Sequence, residues 1–263
     1  MKRSRARLVV VGRLAPVPGG LRAVQQQVLR SFAATGHAPA ATALADTAAR
    51  YGTTAAAVLA ALHAGDYLRL GPDGEIRAAY PFSGVPTPHL VDIDGGPRVY
   101  AMCAIDALGM AAMLGTGVTI TSADPGTGQE VTVTVRADGK TTWRPATAVV
   151  FNGRLISAEA RDPVPGALTV AAAAEACDPV PSALTLAATA EACDPVPGAL
   201  TVAASADSCC GYMNFFGTRA SAAAWDAAHP GITGEILGQA AALRLGMDIF
   251  GDLLSEASDG PDR

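Results

Sequence analysis

Cys103 and Asp106 stand three residues apart in VYAMCAIDALGM, and a vicinal pair, Cys209 and Cys210, opens the run CCGYMNFF. Thiolates are nucleophiles and ligands for soft metals, and a carboxyl group beside them can accept and deliver a proton. If residues 102–114 form a helix, Cys103 and Asp106 share one face, with Cβ atoms roughly 5–6 Å apart. Their neighbours Met102, Ala104, Ile105, Ala107, Leu108 and Met110 are apolar. An aspartate among them is costly unless it is paired or working. Burial would raise its pKa above about 3.9 and let it hold a proton near neutrality. The same spacing also fits a surface aspartate on the polar side of an amphipathic helix, with an inert cysteine buried beside it. The vicinal pair is a poor disulfide, because a disulfide needs Cα atoms roughly 5.5 Å apart in a specific geometry.

There are 5 cysteines in 263 residues, at positions 103, 177, 193, 209 and 210. The odd number and the cytosolic look of the chain favour metal or nucleophile chemistry over structural disulfides. Residues 1–20 read as a flexible leader. The apolar run Leu8 to Val11 is short against the 7–15 or so residues of a signal-peptide core. No stretch reaches the 18 or so apolar residues of a membrane span. Half the residues are hydrophobic (50%) and the net charge is −5, so a sizeable core is expected and the charge balance argues against nucleic acid as a partner.

Three of the cysteines end copies of one unit. DPVPGALTVAAAAEAC, DPVPSALTLAATAEAC and DPVPGALTVAASADSC follow one another over residues 162–209. Near-identical copies point to a recent local duplication, read here as a tandem-repeat insertion that a surface loop can absorb. Cys177 and Cys193 are then echoes of Cys209. Extra soft-metal ligation by them is the alternative.

The elements that must position these groups read as α+β. Helical spacing covers residues 21–35, 39–51 and 53–64, with Thr53 as an N-cap. YLRLGPDGEIRAAY follows as a hairpin. Three helices and a hairpin make a winged-helix-like module over residues 21–82. DNA binding is one use of that shape and a packing scaffold is another. Few basic residues beyond Arg50 sit on its second and third helices, which disfavours DNA. Residues 83–256 form the second domain. In it, the helix at 102–114 ends at Gly115 and Gly117. Strands at 117–122, 130–137 and 146–151 make a small mixed or antiparallel sheet. A strand at 212–216 precedes a helix capped by Thr218. Thr233 opens a final helix over residues 234–254, with Ile236, Leu243, Met247, Phe250 and Leu254 facing inward.

In their order, VYAMCAIDAL, the sheet, SCCGYMNFF, the Trp-containing AAAWDAAHPGITGEIL and a long closing helix resemble the organomercurial (alkylmercury) lyase family. The likeness covers roughly residues 21–254 apart from the repeat. It implies Cys103, Asp106 and Cys209 as the catalytic three and as the groups that hold mercury, with Cys210 a neighbouring thiol. It implies protonolysis: Cys103 takes the mercury, Asp106 accepts the thiol proton, Cys209 adds, and Asp106 passes the proton to the leaving carbon. The products would be a hydrocarbon and Hg(II). No organic cofactor is expected, external thiols would assist release, and a mercuric reductase is a candidate receiver of Hg(II) in the cytoplasm. Two departures stand out. Asp124 occupies a place where the family often has another cysteine, and Gly211 and Asn214 replace more usual polar or aromatic residues.

Two other readings use the same residues. A thiol-based, mercury- or soft-metal-responsive DNA-binding regulator would not need Asp106 as a proton donor. A thiol–disulfide redox enzyme would need a CxxC motif that is missing. His37, His63, His89 and His229 lie at no metal-ligand spacing and read as surface or loop residues. Trp143, Trp225, Tyr212, Phe215 and Phe216 read as packing residues.

Overall fold

The computed structural model describes residues 15–155 and 210–255. Helix α1 (Gly20–Thr35) buries Val24, Val28, Leu29 and Phe32 along one stripe and stops at Gly36, which takes a left-handed conformation. A 3-10 turn (Ala41–Leu44) and a short α2 (Ala45–Ala49) replace the single helix expected over 39–51. Helix α3 (Ala55–Ala64) starts one residue later than expected. Thr54, not Thr53, is its cap, its hydroxyl accepting from the Ala57 N–H at 3.2 Å.

Strands β1 (Leu68–Leu70) and β2 (Ile76–Ala79) form the expected hairpin. They do not stand apart. Strand β3 (Phe82–Ser83) pairs with β2 on one side and with β5 (Arg98–Ala101) on the other. With β4 (His89–Ile93), β6 (Val118–Ala123), β7 (Glu130–Val135) and β8 (Thr141–Arg144), the result is an 8-stranded sheet in the order β1-β2-β3-β5-β4-β6-β7-β8. Every paired neighbour in it is antiparallel. One apolar core runs from Val24 on α1 through Phe82 and Val133 to Phe250.

Helix α4 (Ala104–Leu114) is buried almost all round and ends at Gly115, again left-handed. Strand β9 (Val149–Leu155) sits between β10 (Met213–Phe216) and β11 (Ile232–Leu237) in a second, 3-stranded antiparallel sheet. Helix α5 (Arg219–Ala228) is opened by a capping box between Thr218 and Ser221. It covers a small second cluster of Phe151, Phe216, Ala222 and Ile232. The final helix, α6 (Gln239–Phe250), is shorter than expected because residues 232–237 pair with β9 as β11. Ile236 therefore lies on a strand, and Met247, expected to face inward, is 42% exposed.

Helices α4 and α6 cross through glycine. A methyl group on Gly246 would lie 2.8 Å from Gly109 N and 2.9 Å from the Ile105 carbonyl. Both are backbone atoms, so the helices would have to separate. Gly246→Ala is expected to destabilise the fold by about 1–3 kcal/mol, read as a lower urea midpoint. Added side chain here also pushes on α4, which holds Asp106 in its first turn and is capped by Cys103, so the geometry at that end should be disturbed along with stability. The described residues all belong to one compact unit.

Candidate metal and proton-transfer site

Cys103 is not inside α4 but immediately before it. Its backbone is extended (φ −156°, ψ 176°), and its sulfur accepts from the Asp106 N–H at 3.4 Å. The three-residue spacing is therefore that of a helix cap and the third helical residue. The expected proximity survives with a different cause. The sulfur sits at the positive end of the helix dipole, which favours negative charge there. Asp106, in the first turn, is wholly buried, as is Cys103.

The second sulfur comes from across the fold. A 3-10 turn (Cys210–Tyr212) leads into β10, and β10 is fixed by its register on β9, Met213 opposite Asn152 and Phe216 opposite Val149. This brings Cys210 against α4. The sulfurs of Cys103 and Cys210 and a carboxylate oxygen of Asp106 all lie within 4.8 Å of one another, and all three residues are buried. The Cys210 sulfur is 4.0 Å from Asp106 Oδ2. Metal–thiolate bonds of about 2.3 Å, as for zinc, span about 4.6 Å across one ion, so these two sulfurs can share one soft ion.

Cys209, expected to be the second sulfur, lies outside the described residues, as do Cys177, Cys193 and the repeat. Among the described residues, the sulfur that meets Cys103 and Asp106 is that of Cys210, read from the sequence as a neighbouring thiol. The sequence itself sets Cys210 apart from the repeat. Each repeat copy ends in cysteine, so Cys209 closes the third copy, and Cys210 is the first residue that belongs to no copy.

A cavity of about 410 Å³ opens beside Cys210, bounded by Pro86, Pro88, Met102, His89 and Asn214. A larger open groove of about 550 Å³, between Ala33, Met113 and Leu254, contains none of the three site residues. His89, read from the sequence as a surface or loop residue, is instead buried in β4, its Nδ1 lying 2.9 Å from Ser122 Oγ. Burial pushes its imidazole down to about 4, against an upward pull from a hydrogen bond with Asn214. Asn214 in turn donates to the Gly211 carbonyl at 3.1 Å, so His89 and Asn214 hold the turn that presents Cys210. Isolated residues at unrelated positions gave no hint of this, because strand pairing alone brings them together.

The His89 shift sets a stability window. Its folded pKa lies below the ordinary value of about 6.5, so the unfolded chain binds the proton more readily. The contribution is complete above that ordinary value and is lost as pH falls towards the folded value. Between about pH 7 and pH 5 it amounts to about 2 kcal/mol. Urea midpoints of the parent and His89→Gln should therefore converge as the pH drops. Parallel curves would contradict the buried neutral imidazole.

Tyr80 completes the surroundings. Burial raises its phenol above the ordinary range, with the Asp66 carboxylate and then Cys210 adding to the shift. It stays a neutral phenol, accepting from Arg69 Nε at 3.3 Å and lying 3.4 Å from Asp66 Oδ1. Asp124 is buried too. Burial raises its pKa, but the Ser221 hydroxyl and the N–H groups of Gly217 and Gly126 outweigh this and leave it lowered. It accepts from Ser221 Oγ at 2.7 Å, Gly126 N at 2.8 Å and Gly217 N at 2.9 Å. A carboxylate here stitches the β6–β7 turn to the end of β10. Trp143 and Phe215 pack edge to face at 5.9 Å, and Trp225 stacks on His229 at 4.0 Å.

The alkylmercury lyase family model matches residues 82–164 and 195–251. An alkylmercury lyase of Staphylococcus epidermidis is 37% identical over 105 residues, 40% of this chain and 48% of that protein. One of Streptomyces lividans is 45% identical over 65 residues, 25% of this chain and 30% of that protein. The matched stretch thus spans about half the length of the first relative and under a third of the second. A solved structure, the mercury-bound form of MerB2, covers 92% of this chain and 95% of its own at a TM-score of 0.62 and 21% identity. At that identity the likeness speaks for the fold.

Proposed function

The chain belongs to the alkylmercury lyase family, and on that premise we propose that it cleaves the carbon–mercury bond of organomercury compounds by protonolysis. The observation that carries the reading is the buried meeting of two thiols and one carboxyl group within 4.8 Å. Cys103, at the helix cap, takes the mercury as thiolate, and Asp106 accepts the proton it gives up. Cys210 adds as the second thiolate and puts electron density on mercury, which makes the attached carbon a better base. Asp106 then hands its proton to that carbon. Two thiol protons are displaced in all. One ends in the hydrocarbon and the other leaves with the anion that accompanied the substrate, while Hg(II) stays between two sulfurs. No bond change is a redox step.

We assign the second thiolate to Cys210, not to Cys209, because Cys210 is the sulfur brought beside Asp106 among the described residues. The apolar cavity beside it suits the organic group of the substrate. No organic cofactor enters the scheme, and external thiols take Hg(II) from the paired sulfurs, with a mercuric reductase as an eventual receiver. The cytoplasm is the compartment that fits, since it keeps such thiols reduced. Among the described residues no helix is long and apolar enough to cross a membrane.

We read residues 21–82 as a winged-helix-like module and residues 83–256 as the lyase domain carrying the repeat. The pairing of β2 with β3 and the approach of Tyr80 to Cys210 support a scaffold role for that module. The test of the activity is phenylmercury with excess thiol. Benzene should appear in proportion to enzyme, and its absence at full mercury binding would sink the proposal.

A further inference from the structure

Met213 brings a third sulfur to the site. It opens β10, is buried, and its Sδ lies 3.7 Å from Cys103 Sγ. The register of β10 on β9 fixes its position independently of the 3-10 turn that carries Cys210. A thioether is a soft, polarisable donor, and unlike a thiol it needs no deprotonation to bind. Before substrate arrives it accepts a hydrogen bond from the Cys103 thiol. Once that proton has gone to Asp106, the same lone pair is aimed at whatever the Cys103 sulfur holds.

We infer that Met213 is a third, thioether ligand to mercury held by Cys103 and Cys210, an assignment that rests on the lyase reading of the site. The bond is dative: the Met213 sulfur gives a lone pair, no proton leaves, and nothing is oxidised or reduced. A metal–thiolate bond is about 2.3 Å long, so an ion seated on Cys103 towards the interior falls within reach of a donor 3.7 Å from that sulfur. The added density on mercury weakens its bond to carbon and afterwards slows the loss of Hg(II) to competing thiols. A methionine that merely filled space would be replaced by leucine without effect on the metal, because the two are close in volume.

The experiment loads the full chain with one equivalent of mercuric chloride and reads the mercury environment by X-ray absorption at the mercury edge. The parent should show two short sulfurs and one longer one, and Met213→Leu only the two short ones. Transfer of the ion to excess dithiothreitol should be about tenfold faster in the variant. Selenomethionine-labelled parent protein gives a second reading that alters no side-chain shape: the longer shell should gain a heavier scatterer. It should keep that scatterer in Met102→Leu, which controls for the methionine that lines the cavity. Two short sulfurs in both parent and Met213→Leu, with no selenium shell, overturn the Met213 assignment and leave the lyase reading intact. A parent with no two-sulfur mercury overturns both.

Discussion

Cys103→Ser and Cys210→Ser are each expected to lose at least ~10⁴-fold in benzene release from phenylmercury, as when one member of a jointly acting catalytic unit is removed. Cys209→Ser, Cys177→Ser and Cys193→Ser should stay near the parent rate. The physical reason is the softness of the substrate. A hydroxyl in place of either sulfur leaves mercury with a single thiolate, and one thiolate holds the ion without labilising carbon. Serine is nearly isosteric, and at position 103 its hydroxyl can cap α4 as the sulfur does, so folding should be retained, which near-parental thermal unfolding would verify. Gas-phase detection of benzene together with mercury content per chain separates binding from cleavage. A dead Cys209→Ser beside an active Cys210→Ser would move the second thiolate out of the site described here.

The second large effect falls on Asp106. Asp106→Asn preserves shape and removes the exchangeable acid. Mercury should still bind, and release of the carbon product should fall by about 10²–10⁴-fold, the usual contribution of a positioned general acid. The expected signature is an accumulated protein adduct that retains its organic group, seen by intact mass. Loss of binding together with loss of cleavage would instead make Asp106 a ligand first and a proton carrier second.

Much of the site could be read from residue types alone. An aspartate in an apolar run with a cysteine three residues before it is a costly arrangement, and the structure buries both. What spacing could not tell was why they meet. A helix face and a helix cap place residues three apart at similar distances, and only backbone angles separate them. Short elements were hard for a related reason. The four residues of β8 owe their place to pairing, with Trp143 opposite Val133, and residues 232–237 follow β9 although their composition suits a helix start. Local preference is weak beside a full row of cross-strand hydrogen bonds. His89 and Asn214 are 125 positions apart and gain meaning only when β4 and β10 approach one core. Thr218 was legible because a cap is a local device, and its capping box forms within four residues.

Asn152 on β9 faces Met213 on β10, so the polypeptide departs and re-enters the sheet at clamped, neighbouring points. That register is set by the pairing of the two strands, whatever the number of DPVP units between them in the sequence. A lineage could therefore gain or shed whole DPVP units while Cys210 keeps its address.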